Sequence, residues 1–195
     1  MICYLVRHAK DDETVRGGWS RSPLTAEGRW QAEKLADDLK RHDLGIRRVY
    51  SSDLVRALQT AQPVAQALGL TVTPAPAFRE VNNGELAGMD NGLAAERYPG
   101  LYWNRLGWEQ AYPGGESPRA FYERICAAWN ALERELAVRN ENALLVTHGG
   151  VIQVILSIVR REAYSNALPP RKIRHAELIS LEYRRSEWRE RASMR

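Results

Sequence analysis

The chain has 195 residues, of which 44% are hydrophobic, and this suits one domain spanning residues 1–195 with a sizeable core. Its two cysteines, Cys3 and Cys126, are too few for a disulfide framework, so we expect both to be reduced. No charged leader precedes an apolar segment, and no run of about 18 apolar residues occurs. We therefore expect a cytoplasmic protein without membrane contact.

A formal net charge of +4 raises the question of nucleic-acid binding. The basic residues are densest in the tail, where Glu187 and Glu190 interrupt them; the arginines there are Arg184, Arg185, Arg189, Arg191 and Arg195. This interruption disfavours a nucleic-acid partner, and the excess positive charge fits the attraction of small anionic substrates.

The first predicted element is a short buried strand over residues 2–6, which runs directly into Arg7 and His8. Open α/β sheets bind ligands at the carboxyl ends of their strands. A single Arg-His pair would more often be a solvated strand end. A second apolar run, residues 143–146, also ends in a histidine, His148, and two such strands favour a site.

Helical and extended patterns alternate along the rest of the chain, starting after a polar loop over residues 10–22. The predicted elements are helices from Thr25 to His42, from residue 51, from Ser117 to Arg139 and from Gly150, and strands over residues 46–50, 69–72, 143–147, 178–183 and 188–191. Pro63 should kink or break the second helix. Taken alone, Arg56 in the first turn of that helix would be an exposed residue.

Residues 74–118 differ in character, because glycine and proline interrupt every periodic pattern and aromatic residues are concentrated there. We interpret this segment as an insertion that lacks a core of its own and folds over a site. The alternation on either side of it predicts an α/β fold, namely a three-layer α/β/α sandwich with a mostly parallel central sheet.

Neighbouring strands would bring His8 and His148 together, with Arg7 and Arg56 beside them. Guanidinium groups are fixed positive charges whose donors match pairs of oxygens, so such a pocket favours phosphate. A metal site is the rival interpretation of the histidines. The adjacent guanidinium groups would repel a divalent cation, and no paired His or Cys spacing supports a metal.

Ordered motifs carry a resemblance to a known family. Arg7-His8-Ala9 is similar to the Arg-His-Gly signature of the histidine phosphatase superfamily, in its phosphoglycerate mutase-like branch. Further blocks follow in the family's order: Pro23-Leu24-Thr25, Arg56-Ala57, Glu80 with Gly84 and Gly88, Pro113-Gly114-Gly115-Glu116-Ser117 and Thr147-His148-Gly149-Gly150. Each block alone is weak, but six blocks in order are specific.

The resemblance implies a role for each matched position. His8 would be the nucleophile that forms a phosphohistidine, and Glu80 would protonate the leaving oxygen. Arg7, Arg56 and His148 would hold the phosphate oxygens. Neither a metal nor another cofactor is implied. The chemistry is consistent, because phosphoryl transfer depends mainly on positioning and on stabilising spread negative charge.

Proton positions limit these roles. His8 must be neutral at one nitrogen to attack, and nearby arginines should keep it so. Glu80 must hold a proton near neutrality, which requires burial or a neighbouring negative charge such as the bound phosphate. Glu85 is a nearby competitor, and the spacing of Glu80 to the following glycines favours Glu80.

Four positions depart from the family pattern. Ala87 stands where many members have a glutamate before Gly88. Ala9 replaces the usual glycine. Thr14 lies where many members have an asparagine that helps to bind phosphate, and its hydroxyl can still donate a hydrogen bond. His175 stands where an asparagine is common, which makes it a candidate residue at the rim of the site.

Two alternatives to a phosphatase stay open at this point. The compact length favours metal-independent hydrolysis of a small phosphomonoester, such as a phosphorylated metabolite, over a phosphoglycerate mutase-type transfer. The second alternative is a phosphate-binding module without turnover. Specificity would lie in the aromatic insertion, whose exposed side chains could also serve a homodimer.

Overall fold

A computed structural model describes residues 1–168, 171–184 and 187–191. One sheet contains the strands β1 (Ile2–Arg7), β2 (Ile46–Ser51), β3 (Val72–Pro74), β4 (Asn142–Thr147), β5 (Leu178–Arg184) and β6 (Glu187–Glu190). Their spatial order is β3-β2-β4-β1-β5-β6. The first three neighbouring pairs are parallel and the last two antiparallel, which confirms a mostly parallel sheet. Two arginines of the basic tail, Arg185 and Arg195, lie outside the described residues.

Five α-helices accompany these strands: α1 (Ala26–His42), α2 (Val55–Ala67), α3 (Asn91–Arg97), α4 (Pro118–Arg139) and α5 (Gly149–Arg160). Side chains cap two of them at the predicted residues. Thr25 Oγ1 accepts the Gly28 N–H at 3.0 Å, and Ser117 Oγ accepts the Ala120 N–H at 3.2 Å. Each cap satisfies a backbone donor that the helix itself leaves without a partner.

The central strands are buried on both faces, and their side chains alternate between two cores. Leu5 and Leu145 pack with α4 and α5, whereas Val6 and Leu144 pack with α1 and α2. Alternation follows from the two-residue period of a strand. The helices therefore cover both faces of the sheet, as expected for the predicted three-layer α/β/α sandwich.

Two local details differ from the predictions. No break occurs at Pro63, because Val64 and Ala65 are buried in the core and their packing outweighs the missing backbone hydrogen bond, so that helix α2 continues to Ala67. The third strand was predicted over residues 69–72 and lies at Val72–Pro74 instead. Gly69, with φ of +67°, and the residue after it still belong to the helix end, since their N–H groups bond back to carbonyls of α2.

The segment between β3 and α4 has a small core of its own, contrary to the sequence interpretation. Leu86, Leu106 and Tyr112 are buried together in it. Three short 3₁₀ helices and α3 lie in this segment. At Gly84 a Cβ atom would lie 2.0 Å from the Pro113 carbonyl oxygen, so only glycine fits where the segment folds back on itself. Val81 and Trp103 pack both against this small core and against the larger core that includes Leu5 and Leu145.

Two further expectations concern membrane spans and cysteines. Within the part of the chain that the structure describes, no helix has the length and apolar character to cross a membrane. Cys3 is buried and Cys126 half-buried, and both are free thiols. Burial raises the pKa of the Cys3 thiol to about 12, so this sulfur is a packing group rather than a nucleophile.

Truncation of a central-strand side chain should destabilise the fold strongly. Leu145 is fully buried, so Leu145→Ala should lower the free energy of unfolding by about 2–5 kcal/mol. Val138→Ala, at an 88% exposed position of α4, should change it by less than about 0.5 kcal/mol. Urea denaturation of both variants is the measurement, and equal losses would contradict the placement of Leu145 in the core.

Candidate active site

Pairing of β1 with β4 brings the two strand-end histidines together. The strands are parallel neighbours, with Arg7 opposite Thr147. The backbone N–H of His8 donates to the Thr147 carbonyl at 2.8 Å, and the ring centroids of His8 and His148 lie 5.1 Å apart. The convergence predicted from two strand ends is therefore present.

The His8 ring is buried and fixed by a hydrogen bond on each nitrogen. Nδ1 donates to the Ala9 carbonyl at 2.8 Å, which leaves the lone pair on Nε2. Arg56 Nε donates to that lone pair at 3.3 Å. Burial lowers the pKa of His8 well below its usual value, and the charges of Arg56 and Arg7 lower it further. At neutral pH His8 is thus a neutral imidazole with Nε2 unprotonated.

Arg56 is buried, at 2% exposure, and not an exposed helix residue. Its Nη2 donates to the Gly18 carbonyl at 2.6 Å, and Nη1 contacts the Ser20 carbonyl and hydroxyl at 3.3 Å. Its Nε also lies 3.4 Å from Asp11 Oδ2. These contacts hold the guanidinium group at the His8 ring, and the loop after β1 supplies all of them except His8 itself.

Three buried nitrogen atoms beside His8 have no hydrogen-bond partner among the described residues, and one of them is His175 Nε2. Arg7 donates through Nη1 to the Ile173 carbonyl at 2.7 Å, but its Nε is unpaired. His148 Nε2 contacts Ser52 Oγ at 2.8 Å, and His148 Nδ1 is unpaired. Unpaired buried polar atoms are uncommon in folded proteins, and here they indicate a site for a ligand that accepts hydrogen bonds.

Glu80 reaches the N-terminus of α5 with its carboxylate. The carboxylate oxygens accept the N–H groups of Val81 at 3.1 Å and Gly150 at 3.0 Å. A Cβ atom on Gly150 would lie 2.4 Å from Glu80 Oε1, so glycine is required for this approach. The competitor Glu85 is exposed and accepts a hydrogen bond from the Tyr98 hydroxyl group. Of these two glutamates, Glu80 is therefore the one that lies beside the site.

The sequence interpretation missed Asp11, which is buried three residues after His8. Its Oδ1 lies 3.9 Å from His8 Nδ1 and 4.0 Å from His175 Nε2. The His175 ring centroid is 5.6 Å from that of His8, so His175 lies against the nucleophile candidate. Burial raises the pKa of Asp11, although Arg56 opposes this shift. The spacing to His8 was the only available signal, and a polar loop was predicted there.

Thr14 does not contact the groups around His8. It is exposed, and its hydroxyl donates to Asp12 Oδ1 at 2.7 Å. Because the loop after β1 turns here, Thr14 lies outside the groups that the structure gathers at His8.

One group of described residues offers three ligand atoms to a metal ion: His8, Asp11 and His175, with the atoms within 4.8 Å of one another. Arg56 already lies 3.4 Å from the Asp11 carboxylate and would repel a cation in this position. The group therefore fits a metal poorly.

A cleft of about 1040 Å³ adjoins the site. Arg7 and Glu80 are among its lining residues, together with Trp103 of the aromatic segment, Gln153 of α5 and Tyr164. Trp103 and Tyr164 each have an aromatic neighbour that supports the ring, Tyr112 and Tyr122 respectively. A molecule bound at His8 can therefore extend into a space with rigid aromatic walls.

Known sequences and structures resemble this chain along nearly its full length. Residues 3–193 match the profile of the histidine phosphatase superfamily (branch 1). The probable phosphoglycerate mutase GpmB of Salmonella paratyphi B is 32% identical over 194 residues, which cover 95% of this chain and 86% of that protein. The same named protein of Salmonella newport matches equally well.

Solved structures share the fold. The mycobacterial glucosyl-3-phosphoglycerate phosphatase superposes with a TM-score of 0.78 at 25% identity, covering 97% of this chain and 96% of that chain. The α-ribazole phosphatase of Shigella flexneri superposes with a TM-score of 0.82 at 24% identity, covering 98% and 95% respectively.

Folding stability should depend on pH through the buried histidines. Burial, together with the positive charge of Arg56, lowers the pKa of His148 well below its usual value. The unfolded chain therefore takes up this proton near pH 6.5 and the folded chain at lower pH, so stability falls as the pH drops from 7 to 5. The wild-type advantage over His148→Gln should shrink by up to about 2 kcal/mol over this range.

Urea denaturation of both proteins at pH 7, 6 and 5 measures that difference. Groups that titrate in both proteins, such as Asp11, cancel in the comparison. A gap that stays constant or widens as the pH falls would contradict a buried neutral His148.

Proposed function

Because the chain belongs to the histidine phosphatase superfamily, we propose that it hydrolyses a small phosphomonoester through a phosphohistidine on His8, without a metal ion. One observation carries this proposal. A neutral, buried His8 lies among three positive or unpaired donors, namely Arg56, Arg7 Nε and His148 Nδ1. Such a set binds a tetrahedral oxyanion next to a nitrogen nucleophile.

In the proposed complex the phosphoryl oxygens take the donors that lack a protein partner. Arg7 Nε and His148 Nδ1 each donate to one oxygen. The Ser52 hydroxyl can donate to His148 Nε2, which places the ring proton on Nδ1. Arg56 Nε, which donates to His8 Nε2 in the structure, turns to a third oxygen.

The first chemical step transfers the phosphoryl group to the protein. His8 Nε2 forms a bond to phosphorus as the bond between phosphorus and the leaving oxygen breaks, and Glu80 gives its proton to that oxygen. The Ala9 carbonyl keeps the proton on Nδ1 and orients the ring. The leaving group departs as an alcohol, and a phosphohistidine remains.

The second step returns the protein to its starting state. Water attacks phosphorus, its proton passes to the Glu80 carboxylate, and the electrons of the phosphorus–nitrogen bond return to Nε2. Inorganic phosphate is released. Two lower barriers replace one high barrier, which is the general advantage of covalent catalysis.

The cleft supports a phosphatase with a leaving group larger than a three-carbon acid. Its volume of about 1040 Å³ is at the upper end of the range of about 300–1000 Å³ that is usual for drug-sized ligands. Trp103 and Tyr164 can pack against a ring or chain of the substrate. The curated relative with a mutase name makes a phosphoglycerate mutase-type transfer the second candidate function.

Replacement of His8 should abolish turnover, whereas removal of metal ions should not. The wild-type protein should hydrolyse p-nitrophenyl phosphate equally well with and without EDTA. His8→Ala should lower kcat by at least about 1000-fold, because the nucleophile is lost. Release of p-nitrophenol is the measurement. Activity that disappears with EDTA, or that survives in His8→Ala, contradicts the proposed mechanism.

A labelled substrate distinguishes the proposed phosphatase from a mutase and from a phosphate-binding module. With a radiolabelled phosphoryl group and an alkaline quench, label should appear on the wild-type protein and not on His8→Ala. Phosphate should be the final product. Transfer of label to phosphoglycerate that depends on a bisphosphate primer would identify a mutase, and binding without label on the protein would identify a module without turnover.

A further inference from the structure

The short segment that carries Glu80 is held by side chains rather than by regular secondary structure. Residues 79–83 belong to no helix or strand. Four successive carbonyl groups, those of residues 77–80, nevertheless each accept a hydrogen bond from a side chain outside the segment. Thr147 Oγ1 donates to the Phe78 carbonyl at 2.7 Å. The other three carbonyls share one donor residue, Arg124 of α4.

The Arg124 guanidinium group lies beneath this segment. Nη1 donates to the Ala77 carbonyl at 2.7 Å and to the Arg79 carbonyl at 3.0 Å. Nη2 donates to the Glu80 carbonyl at 3.1 Å. Trp19 Nε1 also donates to the Glu80 carbonyl, at 2.7 Å.

Glu116 takes the two remaining donors of Arg124. Its carboxylate accepts Nε at 2.7 Å and Nη2 at 2.8 Å, so all five N–H groups of the guanidinium are used. The same carboxylate accepts the Asn82 N–H at 2.8 Å. The Arg124–Glu116 pair therefore fixes the backbone on both sides of Glu80. Its side chains are only about a fifth exposed, which strengthens such charged hydrogen bonds.

We propose that Arg124 is a positioning residue for the proton transfer to the leaving oxygen, because it sets the place of the Glu80 carboxyl relative to His8. This inference rests on the proposed function of Glu80 as the acid. A general acid acts only within hydrogen-bond reach of the oxygen, and small displacements reduce the rate strongly. Lysine cannot replace arginine here, since its single nitrogen has three donors and no planar fork.

Leaving-group dependence distinguishes positioning of the acid from a general effect on stability. Departing 2,4-dinitrophenolate needs no proton, whereas phenolate does. The value of kcat/KM reports events up to departure of the leaving group. For phenyl phosphate, Arg124→Lys should lower kcat/KM about tenfold. For 2,4-dinitrophenyl phosphate the loss should be less than about twofold, because His8 and the phosphate donors are unchanged.

Glu80→Gln and Arg119→Lys are the controls. Glu80→Gln should show the same pattern with a larger loss, about 100-fold for phenyl phosphate. Arg119 also lies on α4 and also pairs with glutamates, but it is exposed and contacts none of residues 77–80. Arg119→Lys should leave both values at the wild-type level. Glu116→Gln, which weakens the clamp without removing Arg124, should fall between wild type and Arg124→Lys.

The leaving-group dependence of these variants tests the role of Arg124 separately from the role of Glu80. A strong leaving-group dependence in Glu80→Gln together with none in Arg124→Lys overturns the role of Arg124 and leaves the proposed function intact. No dependence in Glu80→Gln overturns the acid role of Glu80 and with it this inference. If Arg124→Lys does not fold by circular dichroism, Glu116→Gln decides, and equal losses on the two substrates overturn the proposal.

Discussion

Parallel pairing of β1 with β4 is the constraint on which the site depends. Because both strands end at the same edge of the sheet, the backbone bond from His8 to Thr147 places two imidazoles side by side. The interiors of both strands are buried, so the strands cannot shift without disturbing both cores. The position of the nucleophile candidate is thus set by the packed centre of the sheet.

Several ionisable side chains can be buried together at the ends of β1 and β4 because not all of them carry a charge. The two histidines are neutral, so Arg7 and Arg56 are the only cations in contact with them among the described residues. Asp11 offsets part of this charge at 3.4 Å from Arg56 Nε. The Glu80 carboxylate offsets a further part of the charge of Arg56 but is itself bound to the N-terminus of α5, and Arg7 Nε and His148 Nδ1 are left as donors for an anionic ligand.

Much of the fold and part of the site could be predicted from local patterns. The caps Thr25 and Ser117 are short-range signals that were predicted correctly, and the two strand-end histidines converge as expected. Arg56 was harder, because its burial depends on carbonyl groups of a loop more than 30 residues away. Asp11 escaped notice because a polar loop residue and a buried carboxylate look alike in sequence. Pro63 shows that core packing can override a local helix breaker.

Glu80 differs from the histidines in how it is held. No strand sets its position; side chains from α4, the loop after β1 and the end of β4 converge on the carbonyls of its segment. Such contacts span 40 or more residues of sequence, so no local pattern contains them. Under the proposed function this arrangement separates two tasks, since the sheet fixes the residues that would hold the phosphoryl group while side chains fix the proposed acid. Under the proposed function, the parts of the aromatic segment away from Glu80 and Glu116 can then vary in sequence, and with them the leaving group that is accepted, without moving His8.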